Sequence, residues 1–239
     1  MNEMFCFQCQ QTAHNTGCEG KTGVCGKKAD TANYQDELIG ALIGLARAAE
    51  NGNPAEKTDE LVLKGLFTTI TNVNFNNETI KKLKTEIEKE KGRISSEHFE
   101  DYDMKNIWDA HEDVRSLKSL VLFGIKGMAA YAYHSLVLGK TDREVTDFFY
   151  KALRLIGEDA SPDALLELVM ETGKVNFKCM AMLDAANTDA YGDPVPTTVP
   201  LTIEKGPFIV VSGHDLHDMK LLLEQTKGKG INIYTHSEM

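Results

Sequence analysis

No uninterrupted apolar run in these 239 residues reaches the roughly 18 that a membrane-spanning helix needs, so no membrane role is expected. The amino terminus, Met1-Asn2-Glu3, is not basic, and no apolar stretch follows it. It therefore does not read as a secretory signal, and a cytoplasmic protein is expected. Positive charge is also in short supply. The 26 Lys and Arg face 36 Asp and Glu, a formal net charge of −10 with an isoelectric point near 5.2. That balance argues against nucleic acid or an anionic membrane surface as a partner. There is no internal repeat and no low-complexity segment. What remains, 42% apolar and 26% charged residues, describes an ordinary globular chain long enough to bury a full core in one or two domains.

Cysteine is scarce too, but it is concentrated. Of five cysteines, Cys6, Cys9, Cys18 and Cys25 fall within the first 26 residues. This segment has no hydrophobic period with which to bury a face, and Gly17, Gly20, Gly23 and Gly26 allow it to turn tightly. Four thiolates on one short loop suit a metal centre, the Cys6-x-x-Cys9 pair supplying two corners and Cys18 and Cys25 the others. Zinc and iron–sulfur clusters both accept four cysteines. Only one Cys-x-x-Cys knuckle is present, and a [4Fe–4S] cube is wider than a single ion, so the spacing favours iron–sulfur. A disulfide framework would need an oxidising compartment, for which there is no other sign. Cys179, isolated on an apolar stretch, reads as a buried core thiol.

Beyond Gly26 the pattern is helical. Asp30 or Thr31 caps a first helix with an apolar stripe at Leu38, Leu42 and Leu45. A second helix opens at Thr58, and a third runs from Asn77 to Lys91, burying only Ile80, Leu83 and Ile87, its many charges forming a solvated face. Residues 92–111 read as a loop with one short helix, into which the single tryptophan, Trp108, packs. Residues 112–138 are apolar nearly all round and predict a long helix in the middle of a bundle. Thr141 to Glu144 reads as a capping box for a helix ending at Ile156. Ser161-Pro162 starts another, which Gly173 ends, and a last helix covers residues 175–187. Residues 191–206 form a linker rich in Pro, Thr and Gly. A β-branched run at 207–212, an amphipathic helix at 215–226 and a strand at 231–235 then make one βαβ unit, whose strands run parallel.

Parallel strands place Ser212-Gly213-His214-Asp215 and His236-Ser237-Glu238 at the same carboxyl edge, where open α/β sheets bind ligands. Neighbouring strands lie about 4.8 Å apart, so side chains from both segments could share one centre. Spacing alone leaves His214 a capping or surface residue.

The stretch FCFQCQQTAHNTGC, followed by GVCGK, closely resembles the amino terminus of the hybrid cluster protein family, also called prismane proteins or hydroxylamine reductases. The likeness continues through LVLKGLFTTITNVNF, EDVRSLKSLVLFGIKGMAAYAYH, MLDAANTDAYG and VSGHDLHDMKLLLEQTKGKGINIYTHSEM, nearly the whole chain. The family's proteins are much longer, so this sequence is expected to be the front part of one, lacking a C-terminal half. The resemblance implies a redox enzyme that reduces hydroxylamine to ammonia, with nitric oxide as another proposed substrate and a redox protein as electron donor. It also implies that Cys6, Cys9, Cys18 and Cys25 hold a [4Fe–4S]-type cluster. By the same likeness, His214 and Glu238 each supply a ligand to a catalytic hybrid Fe–S–O cluster whose other ligands lie beyond Met239. His217 and His236 acquire no role. The fold expected is mainly α: residues 1–190 a helical bundle led by the cysteine loop (1–26), residues 191–239 the opening βαβ unit of a Rossmann-like α/β domain. Two rival readings are an electron-transfer module carrying one [4Fe–4S] cluster and a zinc-stabilised helical interaction protein.

Overall fold

A computed structural model describes residues 4–9, 14, 16–70 and 73–236. The described residues are mostly helical, with two small two-stranded sheets. Two compact units divide the chain, residues 1–186 and 187–239, and the division falls inside a helix.

The first unit opens not on an irregular loop but on a short antiparallel ribbon, β1 (Met4–Cys6) paired with β2 (Cys18–Gly20). The ribbon also has a small core that its sequence did not advertise: Met4, Cys6, Cys18 and Ala32 are buried together. Directly opposed residues of an antiparallel pair project on the same face. Phe5 therefore points the other way, against Phe7 and Trp108, with ring centroids 5.9 and 5.1 Å distant. Gly17, at φ +95°, must stay without a side chain, because a Cβ there would lie 2.5 Å from the Phe5 ring.

Among the described residues seven helices follow: α1 (Ala29–Asn51), α2 (Glu56–Thr68), α3 (Asn77–Ile94), α4 (Lys105–Trp108), α5 (Glu112–Val137), α6 (Arg143–Ile156) and α7 (Pro162–Tyr191). The helix buried nearly all round is α1 rather than α5. Leu38, Ile39, Leu42, Ile43 and Leu45 of α1 are fully buried, and α2, α3 and α6 pack around it. On α5, Leu120, Tyr131 and Val137 are exposed. By length and composition α5 could cross a membrane, yet its two buried lysines, Lys118 and Lys126, are bonded to protein groups.

The helix ends show where local reading went astray. Helix α1 starts after Lys28, and Asp30 lies inside its first turn, tied to Asn77. Thr58 is likewise two residues inside α2, its Oγ1 accepting from the Ala55 N–H at 2.9 Å. The cap of α6 is Asp142, not Thr141; its carboxylate accepts the N–H groups of Glu144 and Val145. Gly173 does not end a helix, and α7 runs straight through it. Its buried positions Leu165, Leu168, Thr172, Val175 and Cys179 keep a 3–4 spacing across the glycine, and that continuous buried stripe outweighs the ~1 kcal/mol cost of one helical Gly. The charged face of α3 is not wholly solvated either: Glu90 and Lys91 are buried, Lys91 reaching Asp101 at 2.6 Å and the Phe99 carbonyl at 3.2 Å.

Gly40 on α1 allows the 99–103 segment to lie directly on the helix. The Tyr102 N–H donates to the Gly40 carbonyl at 3.2 Å, and a Cβ on Gly40 would sit 2.3 Å from the Tyr102 carbonyl oxygen. Gly40→Ala must push backbone, not a pliable side chain, so it is expected to destabilise the protein by about 1–3 kcal/mol, read as a lower urea midpoint at unchanged slope.

In the second unit, β3 (Phe208–Ser212), α8 (Leu216–Thr226) and β4 (Asn232–His236) form one βαβ unit. The strands are parallel, Phe208 pairing with Asn232 and Ser212 with His236. Phe208, Val210 and Leu223 are exposed, and α8 has no buried residue.

Candidate metal centre

The ribbon register sets Cys6 opposite Cys18 on one face, both buried. A turn closed by Gly23 N–H to the Lys27 carbonyl (2.8 Å) and Gly26 N–H to the Gly23 carbonyl (2.9 Å) then returns Cys25 to the same place. A Cβ on Gly23 would meet the Cys25 Sγ at 3.6 Å and the Cys18 Cβ at 3.8 Å, so these two cysteines are neighbours across the bare face of that glycine. Cys9 follows Cys6 by three residues and is half-buried, as is Cys25. All five cysteines are free thiols. Among the described residues, no three His, Cys, Asp or Glu side chains gather closely enough to hold a single metal ion.

Two lysines lie beneath the thiols. The Lys27 ammonium is 3.8 Å from the Cys6 sulfur. Lys126 enters from α5 and donates to the Gln8 side-chain carbonyl, and at 3.4 Å to the Thr69 carbonyl at the end of α2. The Gln8 amide in turn donates to the Asp36 carboxylate on α1. Both lysines are only 3% exposed. Burial, with the neighbouring Lys27 charge adding to it, pushes the Lys126 pKa down to about 7, while Asp36 and the thiols Cys6 and Cys9 pull it back up. Burial raises the Asp36 carboxyl to about 6 against the Gln8 hydrogen bond. The Cys6 thiol is raised by burial and drawn back by Lys27. Asp36, half-buried, lines a cleft of about 790 Å³ together with Phe5, Phe7, Asp101, Tyr102 and Asp103. Cys6 and Cys18 on the ribbon, Cys25 on the turn and Cys9 just past β1, with two buried lysines near Cys6, are a donor set suited to an anionic, thiolate-ligated group.

The residues expected to form a second centre are placed less completely. His214 is exposed and follows β3 immediately after Gly213. It is not the cap of α8: that is Asp215, whose carboxylate accepts the Asp218 N–H at 3.0 Å. His236, which carried no expected role, faces Ser212 at the carboxyl edge, with 3.2 Å between Ser212 Oγ and His236 Nδ1. Glu238 lies outside the described residues.

The model of one protein family, described as Prismane/CO dehydrogenase, matches residues 4–239. The chain belongs to that family. Curated relatives agree over 99% of the chain. The hydroxylamine reductase of Solidesulfovibrio magneticus is 44% identical over 267 aligned residues, that of Caldanaerobacter subterraneus subsp. tengcongensis 44% over 271, and that of Nitratidesulfovibrio vulgaris 40% over 270. In each case the match covers 49% of the relative, so the chain spans about half the length of the curated relatives it matches. Family membership gives the cysteine ribbon its context, but the lysines below it escaped the sequence reading. The available signal was Lys126 itself, a charge standing alone between Ile125 and Gly127 in an otherwise apolar stretch of α5.

Proposed function

We propose that the chain is the N-terminal part of an iron–sulfur oxidoreductase that reduces hydroxylamine, with nitric oxide as an alternative small nitrogen-oxide substrate. In this reading Cys6, Cys9, Cys18 and Cys25 hold a [4Fe–4S]-type cluster. Once bound, the cluster supplies one-electron storage between a donor protein and a catalytic centre. The overall reaction takes two electrons and two protons: hydroxylamine becomes ammonia and water as its N–O bond breaks. His214 and Glu238 are proposed ligands of the hybrid Fe–S–O cluster where that bond is reduced, the remaining ligands coming from a C-terminal half. Residues 1–190 would then act as a helical electron-entry domain and 191–239 as the start of a Rossmann-like domain, in a cytoplasmic protein.

One observation carries the reading: all four loop cysteines are free, and Cys18 lies beside Cys6 across the ribbon and beside Cys25 across Gly23. Cysteine-ligated clusters have potentials set by net charge, hydrogen bonds to sulfur and solvent exposure. Here the exposure is divided between two buried and two half-buried thiols. The test is metal and sulfide analysis of chain prepared without oxygen. Iron and acid-labile sulfide in equal amounts, with the visible absorption of a cubane, are expected. Stoichiometric zinc without sulfide would overturn the reading.

A further inference from the structure

We propose that Lys126 and Lys27 are the built-in counter-charges of the cysteine-held group and raise its reduction potential. This rests on the reading that the four cysteines hold an iron–sulfur cluster. Two lysine residues, each 3% exposed, lie close enough for their charges to act on one another, Lys27 beside Cys6 and Lys126 within reach of Cys6 and Cys9. Among the described residues the Asp36 carboxylate acts on both lysines, with Asp103 acting on Asp36 in turn, and the Gln8 amide joins Asp36 to Lys126. Among the described residues the hydrogen-bond partners of Lys126 are neutral, the Gln8 and Thr69 carbonyls, and Lys27 points at the Cys6 sulfur. Burying unbalanced charge is costly unless an opposite charge is supplied. Among the described residues the acidic groups that act on Lys126 are Asp36 and the thiols Cys6 and Cys9, and the thiols become thiolates on binding metal.

The placement is built rather than incidental. Lys126 comes from a helix more than a hundred residues away in sequence, and it is held by Gln8, one of the two residues between the cysteines of the Cys-x-x-Cys pair. Its position is therefore locked to the ligand loop. Reduction adds one electron from the external donor and makes the group more negative, with no bond formed or broken. Nearby positive charge stabilises the reduced form more than the oxidised form, and low local polarity strengthens the effect.

The experiment is a potentiometric titration of the reconstituted chain, followed by electron paramagnetic resonance, for wild type, Lys126→Met, Lys27→Met and Lys126→Arg. Each methionine variant is expected to shift the reduction equilibrium at least about tenfold toward the oxidised form, equivalent to 59 mV for one electron. Arginine keeps the charge and is expected to keep the wild-type midpoint. If both methionine variants fail to take up the group while the arginine variant takes it up, the counter-charge role is also supported. Loss of uptake in all three variants overturns it, as does an unmoved midpoint in loaded methionine variants. The two possible failures are distinct. A wild-type chain that binds no iron–sulfur group overturns the cluster reading and this inference together, whereas a loaded wild type indifferent to both methionine substitutions overturns this inference alone.

Discussion

Cys9→Ser abolishes or severely depletes the iron–sulfur centre, and Cys179→Ser leaves it intact: that contrast is the first expected result. A serine hydroxyl is a harder and far less acidic donor than a thiol, so one corner of the site loses its anionic soft ligand. Cys9 is half-buried and close enough to Lys126 to act on its charge. Cys179 sits on α7, fully buried, its sulfur 3.6 Å from the Met128 carbonyl and its thiol pushed up to about 12 by burial. A thiol so reluctant to ionise is inert core. The protein fold should survive Cys9→Ser, because Phe5 and Phe7 still anchor the ribbon on Trp108. The readouts are iron content and the cubane absorption, with helical circular dichroism as the control. Iron lost from the Cys179 variant and retained by the Cys9 variant would refute the ligand assignment.

The second large effect concerns turnover. The 239-residue chain is expected to bind one cubane's worth of iron and to show no hydroxylamine reduction with an artificial donor. His214 and Glu238 would contribute at most two ligands to a multi-iron centre. His214 is exposed at the end of β3, and α8 beside it buries nothing, so the packed surroundings that orient metal-binding groups are not formed by these elements. Fusing or adding the C-terminal half of a relative should restore further iron uptake and activity. In that complete protein, His214→Ala or Glu238→Ala should lower turnover by more than about a hundredfold, beyond the 10–100-fold seen when only an orienting partner of a ligand is lost. Hydroxylamine reduction by the shorter chain, indifferent to both substitutions, would move catalysis to the cysteine-held cluster.

How far the sequence could be read depended on whether the deciding interaction was local. Asn76 caps α3 with its own side chain, and a helix from Asn77 was expected. The parallel βαβ unit was legible for the same reason, its first strand being one continuous β-branched run and its second closed off from the helix by Gly228 and Gly230. The cysteine segment was legible as chemistry but not as structure. Strands of three residues carry no usable period, and their register depends on contacts with Trp108 and Ala32, distant in sequence. Gly173 misled because a glycine signals a helix end only where the buried stripe also stops, and here it continues to Cys179 and beyond. Charges on α3 were read as solvated because nothing in the run itself shows that Asp101 and Thr58 come to meet Lys91 and Glu90. Lys126 was invisible for a related reason: Gln8 joins it to the site through a bond between residues 118 apart in the sequence.

Trp108 is the chain's sole tryptophan, and it sits between the cysteine ribbon and Arg115, with Phe5 and Phe7 at 5.1 and 5.3 Å and the guanidinium at 4.9 Å. The molecule therefore carries its own optical gauge. Near-ultraviolet emission comes from a single indole pressed against the residues on either side of Cys6, so its colour and intensity follow the seating of the ribbon and the loading of the site without any added label. Assembly of the proposed centre and docking of the cysteine segment can be timed separately, by visible absorption and by fluorescence, in one cuvette.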